Sequence, residues 1–125
     1  DFDWRVGILN RTPLFVCQYF MSKEHWQIYN HEPGQERAAR EGDSKTFRVE
    51  DAPEIVVKTA LKAAGLIGNG FYGVDLKQTT KGVVVIEIND NPNIDHGVED
   101  AVLKEEVYRT IINDFVWRLD HKRGK

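Results

Sequence analysis

Several features that define common protein classes are missing from this chain of 125 residues. It has one cysteine, Cys17, which excludes an internal disulfide and leads us to expect a reducing, cytoplasmic location. No apolar run reaches the roughly 18 residues of a membrane span, and no signal peptide is visible. The net charge of −3 comes without a basic stripe, so we expect no nucleic-acid partner. The balance of 41% hydrophobic and 30% charged residues is typical of a single globular domain.

Motifs for several kinds of site are also absent. There is no GxSxG nucleophile elbow, no Walker A loop and no GxGxxG fingerprint. The four histidines are scattered, which argues against a zinc site. The stretch NDNPNIDHGVED places Asn89, Asn91 and Asn93 at the first ligand positions of an EF-hand. Ile94, however, stands where that loop requires glycine, and Pro92 interrupts it, so we reject a calcium loop.

The most informative stretch is residues 71–92, FYGVDLKQTTKGVVVIEINDNP, which predicts two strands joined by a tight turn. Successive side chains of a strand point to opposite faces of its sheet. Asp75 therefore points away from the apolar residues of the first strand, and Glu87 and Asn89 share one face of the second. The opposite face is predicted to carry the apolar residues Tyr72, Val74, Leu76, Val84, Ile86 and Ile88.

The turn of this hairpin decides which polar residues meet, and two registers are open. A two-residue turn at Lys81 and Gly82 would place Asp75 across from Ile88. A three-residue loop that ends at Gly82 would place Asp75 across from Glu87. We favour the second register, because such a loop usually ends in a left-handed residue, where glycine has no steric cost. It also makes the other face uniformly apolar, with Val74 across from Ile88 and Leu76 across from Ile86.

The favoured register opposes two carboxylates on neighbouring strands, beside an asparagine. Like charges in this position destabilise a sheet unless something neutralises them. Carboxylate and amide oxygens are the ligands that magnesium takes, so Asp75, Glu87 and Asn89 are candidate metal ligands. An ordinary solvated strand face is the alternative. Without a metal, Asp75→Asn is expected to stabilise the fold by up to ~1 kcal/mol, and a loss would mean that Asp75 has a structural partner.

The rest of the chain predicts three more strands and two helices. The strands are expected at residues 4–10, 14–21 and 25–30, the first two forming a hairpin, and residues 31–46 are expected to form a mobile loop. The first helix should start with Asp51 as its N-cap, and the second should span residues 101–119. The apolar stripe of the first is predicted to contain Val56, Val57, Ala60, Leu61, Ala64 and Ile67, and the buried face of the second Val107, Tyr108, Ile111, Ile112, Phe115 and Leu119. These elements predict an α+β fold, an antiparallel sheet of about five strands with two main helices packed on one face.

The order of these motifs resembles a known family. GVD at 73–75, followed by Glu87, Asn89 and Pro92, resembles the C-terminal core of ATP-grasp ligases. Within that superfamily it is most similar to the RimK-like group of ribosomal-protein glutamate ligases and glutathione-synthase-like enzymes. The opening DWRVGIL is similar to that family's strand after the nucleotide lid, whose arginine meets phosphate. Many members have glycine directly after the proline, where this chain has Asn93.

The resemblance implies roles for five residues. Asp75, Glu87 and Asn89 would hold Mg²⁺ (or Mn²⁺) against the phosphates of ATP. Arg5 would bind phosphate and act in catalysis, and Ile86 would line the adenine pocket, although strand alternation alone places it on the core face. The full enzyme would couple a carboxylate to an amine through an acyl phosphate, glutamate and a protein or peptide being one such pair.

The resemblance also bears on domain organisation. It implies that residues 1–125 form a single domain, the C-terminal ATP-grasp subdomain excised from a longer protein. We expect such a piece to fold alone with little or no ligase activity, because the family's nucleotide lid lies upstream. The alternative is a non-catalytic ATP-grasp-like binding or interaction domain. The intact set of Asp75, Glu87 and Asn89 argues against it, because a degenerate copy has no reason to keep opposed carboxylates.

Overall fold

The computed structural model describes residues 2–20 and 44–124. One antiparallel sheet contains the strands β1 (Phe2–Leu9), β2 (Thr12–Phe20), β3 (Ser44–Phe47), β4 (Phe71–Thr79) and β5 (Gly82–Asn89), in the order β3-β2-β1-β4-β5. The helices are α1 (Glu54–Ile67) and α2 (Glu105–Gly124), and a short 3-10 turn spans Val49–Asp51. The predicted α+β fold with a five-stranded antiparallel sheet and two helices is confirmed. Across residues 2–20 and 44–124, neither helix is long and apolar enough to cross a membrane.

The third strand of the sheet differs from the one predicted after the first hairpin. The strand predicted at 25–30 and residues 31–43 of the predicted loop lie outside the described residues. Residues 44–46 of that loop belong to β3, which pairs with β2, so the loop prediction is wrong for those three. Ser44–Phe47 has the β-branched Thr46 and the aromatic Phe47, which suit a strand at the edge of a sheet.

The predicted hairpin of the first two strands is formed. Its turn has two residues. Asn10 and Arg11 have φ values of 50° and 64°, and Leu9 pairs with Thr12 across them. Positive φ at both central positions is the mark of a turn whose twist matches the flanking strands. The second strand pairing of β1 is with β4, a partner about 70 residues away in the chain, and this places β1 at the centre of the sheet.

One face of the sheet is apolar and is covered by α1. Apolar side chains from β1, β2 and β4 alternate onto this face, as the period of two requires. The helix contributes the stripe predicted for it, except that Ile67 is 58% exposed. The buried members of this cluster are Trp4, Val6, Ile8, Val16, Val56, Val57, Ala60, Ala64, Tyr72, Val74 and Leu76.

The opposite face carries a second, smaller cluster under α2. Its buried members are Leu9, Leu14, Phe15, Cys17, Val107 and Ile111. Cys17 alternates with Val16, which belongs to the first cluster, so the clusters lie on opposite faces of the sheet. The two helices therefore cover opposite faces of the sheet. The prediction that both pack on one face is wrong. Helical periodicity identifies an apolar stripe on each helix, but it does not say which face of a sheet the stripe covers.

The predicted starts of both helices are wrong, and the backbone gives the reasons. Helix α1 begins at Glu54 after Pro53, with no side-chain cap from Asp51, which lies in the 3-10 turn. Ala52 is extended, at φ −88° and ψ 157°, because a residue before proline is excluded from helical geometry. Helix α2 begins at Glu105 because Lys104, with φ 54°, is left-handed and breaks any helix from residue 101.

Helix α2 has fewer buried apolar side chains than its sequence predicts. Val107 and Ile111 are buried, whereas Ile112, Phe115 and Leu119 are each about half exposed. Of the predicted buried face of α2, Val107 and Ile111 are confirmed, and the prediction is wrong for Tyr108, Ile112, Phe115 and Leu119, which are exposed.

Candidate functional site

The second hairpin brings the two predicted acidic residues together. Asp75 on β4 pairs with Glu87 on β5, as predicted, and Val74 pairs with Ile88. The turn differs from both registers considered, because Thr79 pairs with Gly82 across a two-residue loop. That loop alone would place Asp75 across from Ile86, and the pairing of Asp75 with Glu87 is restored by a shift of register between Asp75 and Leu76. The prediction about the acids was right although the turn assumed for it was wrong.

Ile86 is the extra residue that produces this shift. Leu76 pairs with Val85 and Asp75 with Glu87, so Ile86 has no partner of its own and forms a β-bulge. Its side chain is 54% exposed. The pairing of Leu76 with Ile86 and the placement of Ile86 on the core face, both expected from simple alternation, are therefore wrong. Bulges re-aim side chains, and periodicity does not reveal where one occurs.

Arg5 lies directly beside the hairpin and contacts Asp75. The register of β1 with β4 pairs these two residues. Arg5 Nε donates to Asp75 Oδ1 at 2.8 Å, and Arg5 Nη2 donates to Asp75 Oδ2 at 3.1 Å. Both side chains are about one-quarter exposed. This two-pronged geometry is the strongest form of ion pair, and the hydrogen bond with Asp75 raises the pKa of Arg5 far above its ordinary value, against the effect of burial.

The ion pair changes the charge balance expected from the sequence. Asp75 is neutralised by Arg5, and the next pair along the same two strands, Asp3 and Lys77, joins at 2.9 Å. Glu87 is exposed and has no hydrogen-bond or ion-pair partner in the part of the chain that the structure describes. The conflict between Asp75 and Glu87 is thus largely relieved by the protein itself. One uncompensated carboxylate remains at the edge of the site.

Asn89 completes the row of oxygen donors on β5. It pairs with Gly73, so its side chain lies on the same face as Asp75 and Glu87. Asn89 Oδ1 accepts the Asn91 N–H at 2.9 Å, which closes a turn and fixes the amide. The chain then crosses over Gly73, where a Cβ would come within 2.9 Å of Pro92. Glycine at position 73 is therefore required by the close passage of Pro92.

Sequence reasoning missed Tyr19, which lies against Arg5, and Glu99, which is bonded to Tyr19. The Arg5 guanidinium stands 5.2 Å from the centre of the Tyr19 ring, within the range of a cation–π contact. The Tyr19 hydroxyl donates a short hydrogen bond to Glu99 Oε2, and Glu99 is only 1% exposed. Strand alternation from Cys17 could have found Tyr19. Nothing periodic signals Glu99, because it lies in the irregular segment 95–104.

A further group that sequence reasoning missed is centred on Asp100 and connects this segment to α2. Asp100, which is 4% exposed, accepts hydrogen bonds from the Gly97 N–H at 2.6 Å and from the Tyr108 hydroxyl at 2.6 Å, and pairs with His96 Nδ1 at 3.1 Å. Burial alone would raise the pKa of Asp100, but its contacts with Tyr108, Gly97 and His96 lower it below the ordinary value. The hydrogen bond to Asp100 raises the pKa of Tyr108 to about 12. These bonds hold the segment in place.

The donor set on this face matches the chemistry of magnesium. Within residues 2–20 and 44–124, no three His, Cys, Asp or Glu side chains form a group that could hold a metal. Magnesium needs fewer protein ligands, because it is commonly held by one or two carboxylates together with water and substrate phosphates. Asp75, Glu87 and Asn89 fit that requirement. A cleft of about 470 Å³ lies nearby, lined by Pro92, Ile94 and part of α2, but it includes none of the five predicted site residues.

Comparisons with known proteins agree with the resemblance. No family model matches the chain. It is 34% identical over 67 residues to a probable alpha-L-glutamate ligase 1 of Pseudoalteromonas atlantica, and 32% identical over 77 residues to a probable alpha-L-glutamate ligase of Cellvibrio japonicus. These alignments include 54% and 56% of this chain. The structure of the ATP-grasp ligase PsnB complexed with minimal precursor aligns with 92% of the chain, at a TM-score of 0.54 and 14% identity.

The comparisons concern parts of longer proteins. The chain spans 20% and 25% of the two curated relatives and 34% of the PsnB chain. The similarity to alpha-L-glutamate ligases is thus a similarity to one portion of them, and the likeness to PsnB is one of fold. The resemblance to ATP-grasp ligases, read from GVD and Glu-x-Asn, is confirmed at this level.

Proposed function

We propose that this chain is the metal- and phosphate-binding part of an ATP-dependent carboxylate–amine ligase. The observation that carries the proposal is the juxtaposition, on one sheet face, of the paired Asp75 and Glu87 with Arg5. The curated relatives named as glutamate ligases support the same reaction class. On this proposal, residues 1–125 act as one domain within a larger ligase.

Each side chain of the site has a proposed task. Asp75, Glu87 and Asn89 hold Mg²⁺ (or Mn²⁺), which when bound offsets negative charge on phosphate oxygens. Asp75 uses one acceptor position on each oxygen for Arg5, and a carboxylate has further lone pairs free. Arg5 uses Nε and Nη2 for Asp75, which leaves Nη1 to donate to a phosphate oxygen of ATP. Ile86, exposed on its bulge, offers an apolar contact for adenine.

The reaction proposed for the whole ligase follows from these tasks. A substrate carboxylate attacks the γ-phosphate of ATP, forming an acyl phosphate and releasing ADP. The substrate amine then attacks the acyl carbon, and phosphate leaves. Phosphoryl transfer depends mainly on positioning and on electrostatic stabilisation, and Arg5 supplies a preorganised cationic donor because Asp75 already holds its plane. Glutamate and a protein or peptide are the proposed substrates.

The metal site can be tested on this chain without ligase activity. Mn²⁺ should broaden the backbone NMR signals of Asp75, Glu87 and Asn89 at millimolar concentrations or below. Glu87→Gln should weaken this binding about tenfold or more, because it removes the unpaired carboxylate. The matched control is Asp3→Asn, which removes a carboxylate from the neighbouring ion pair on the same face and should leave Mn²⁺ binding unchanged.

The result that would overturn the proposal is equally specific. If Mn²⁺ broadens signals elsewhere, or if Asp3→Asn weakens binding as much as Glu87→Gln does, the hairpin is not a selective metal site. The chain would then be better described as a binding or interaction domain with this fold. A search for ATP-dependent ligation by the longer protein would test the reaction itself.

A further inference from the structure

The buried carboxylate of Glu99 has no task in the proposed reaction. It is 1% exposed and lies in the segment 95–104, which covers part of the polar face of the sheet. Its Oε1 accepts the Asp95 N–H at 2.6 Å, and its Oε2 accepts the Tyr19 hydroxyl. Burying a carboxylate is costly unless it is hydrogen-bonded, and these two bonds satisfy one oxygen each. Tyr19 is the side chain through which Glu99 is bonded to the strand β2.

Tyr19 connects this buried carboxylate to Arg5. Its hydroxyl is held by Glu99, and its ring lies beside the Arg5 guanidinium, with 5.2 Å between the guanidinium carbon and the ring centre. Burial raises the pKa of Tyr19 far above its ordinary value, so the hydroxyl keeps the proton that it donates. The orientation of the ring is consequently fixed at its far end by Glu99.

Arg5 is thus constrained in two independent ways. Asp75 holds two nitrogens of the guanidinium by hydrogen bonds, and Tyr19 contacts it through its ring. In the proposed function, Asp75 also serves as a ligand for a divalent cation, whose positive charge weakens the hydrogen bonds that the same carboxylate accepts from Arg5. The contact between the Tyr19 ring and Arg5 does not use these oxygens. It remains available to orient Arg5 when its bond to Asp75 is weakened.

We propose that Tyr19, anchored by the buried Glu99, is a positioning residue that keeps the Arg5 guanidinium directed at phosphate while Asp75 engages a divalent cation. This inference rests on the proposed function for its purpose. The structural alternative is that the bond between Tyr19 and Glu99 only fastens segment 95–104 to the sheet. Thr46, whose hydroxyl donates to the Val98 carbonyl, fastens the same segment without a described contact to Arg5.

The experiment compares three variants of the chain by two measurements. Tyr19→Leu removes the ring, Tyr19→Phe keeps the ring and loses its bond to Glu99, and Thr46→Val is the control that only loosens the segment. The first measurement is the Arg5 Nε–H signal in ¹⁵N NMR, assigned with Arg5→Lys, in ligand-free protein. The second is the affinity for inorganic pyrophosphate in the presence of Mg²⁺. Thermal unfolding of each variant records its stability alongside.

The expected results follow from the size of a partly desolvated cation–π contact. Tyr19→Leu should broaden the Arg5 Nε–H signal by exchange with water and weaken pyrophosphate binding about fivefold. Tyr19→Phe should weaken binding about twofold, because the ring remains but is no longer anchored. Thr46→Val should lower the unfolding temperature, leave the Arg5 signal unchanged and bind pyrophosphate as the original chain does.

Two outcomes would overturn the inference. One is an unchanged Arg5 signal and pyrophosphate affinity in Tyr19→Leu. The other is an equal loss in Thr46→Val, which would make the role of the bond purely structural. Failure of the proposed function would look different, because the Arg5 signal of the original chain would then not respond to pyrophosphate and Mg²⁺ at all. The ligand-free signal would still report whether Tyr19 positions Arg5.

Discussion

The three central strands of the sheet carry different kinds of side chain on its two faces. On the face under α1, side chains such as Val6, Val74 and Leu76 are fully buried in an apolar cluster. On the other face, Arg5 and Asp75 are about one-quarter exposed and are held by directional contacts. The apolar face contributes stability through burial, whereas the polar face holds charged groups in fixed positions.

The polar face is also covered differently. Helix α2 and segment 95–104 cover the part that contains Cys17 and Tyr19, and they leave Glu87 exposed at the edge of the sheet. Burial raises the pKa of Cys17 to about 12, so its thiol is inert and serves as packing. Within a few residues the same face changes from a packed core to an open site. We therefore expect mutations on the apolar face to change stability, and mutations at the open site on the polar face to change metal binding.

The largest expected effect is on the apolar face. Leu76→Ala should lower the free energy of unfolding by about 2–5 kcal/mol, because it removes a fully buried side chain and leaves a cavity. Urea unfolding followed by circular dichroism measures this loss. Val84→Ala, at a half-exposed position on β5, is the matched control and should change stability by less than about 0.5 kcal/mol. Equal losses in both variants would contradict the assigned difference in burial.

Asp75→Asn should have the next largest effect on stability. The sequence alone led us to expect stabilisation, but the structure gives Asp75 a bidentate partner in Arg5. Losing this pair should cost about 1 kcal/mol, a value reduced for the partial exposure of both side chains. Urea unfolding with and without Mg²⁺ tests it. A gain in stability in metal-free buffer would mean that the ion pair does not persist in solution.

Asp100 should make a smaller contribution that depends on pH. The pKa of this carboxyl in the folded protein is lowered, so its stabilising effect is present above the ordinary value of about 4 and is lost as pH falls through the folded pKa. Asp100→Asn should therefore unfold with a shallower dependence on pH between about 5 and 2. The effect is modest because burial opposes the hydrogen bonds from Tyr108 and Gly97. An unchanged slope in the variant would contradict this account.

Glu87→Gln should have the smallest effect on stability. Glu87 has no ion-pair or hydrogen-bond partner within the described ranges and lies opposite Asp75, so its neutralisation should change the free energy of unfolding by no more than about 0.5 kcal/mol. Glu87→Gln is expected to lose Mn²⁺ binding while staying folded, whereas Leu76→Ala is expected to lose stability. The two variants together therefore test the contrast between the faces. A loss of stability above 1 kcal/mol would show that Glu87 has a structural role.

The accuracy of the sequence-based prediction differed with the range of the interaction. Alternation along β4 and β5 correctly placed Asp75 and Glu87 on one face of the sheet, and helical spacing identified most of the buried stripe of α1. The starts of both helices were wrong because single backbone positions, the extended Ala52 and the left-handed Lys104, override propensity. The bulge at Ile86 could not be predicted, since inserting one residue changes no local pattern.

By itself, the sequence determined which residues of each element share a face, because the periods of strands and helices follow from local backbone geometry. It also determined the oxygen donors of the second hairpin, whose strands are adjacent in the chain. Only the tertiary structure decided that β1 lies beside β4, which brings Arg5 onto Asp75 across about 70 residues. It also decided that segment 95–104 buries Glu99 behind Tyr19. Such pairings depend on the order of strands and on how the faces are covered, which local periodicity does not specify.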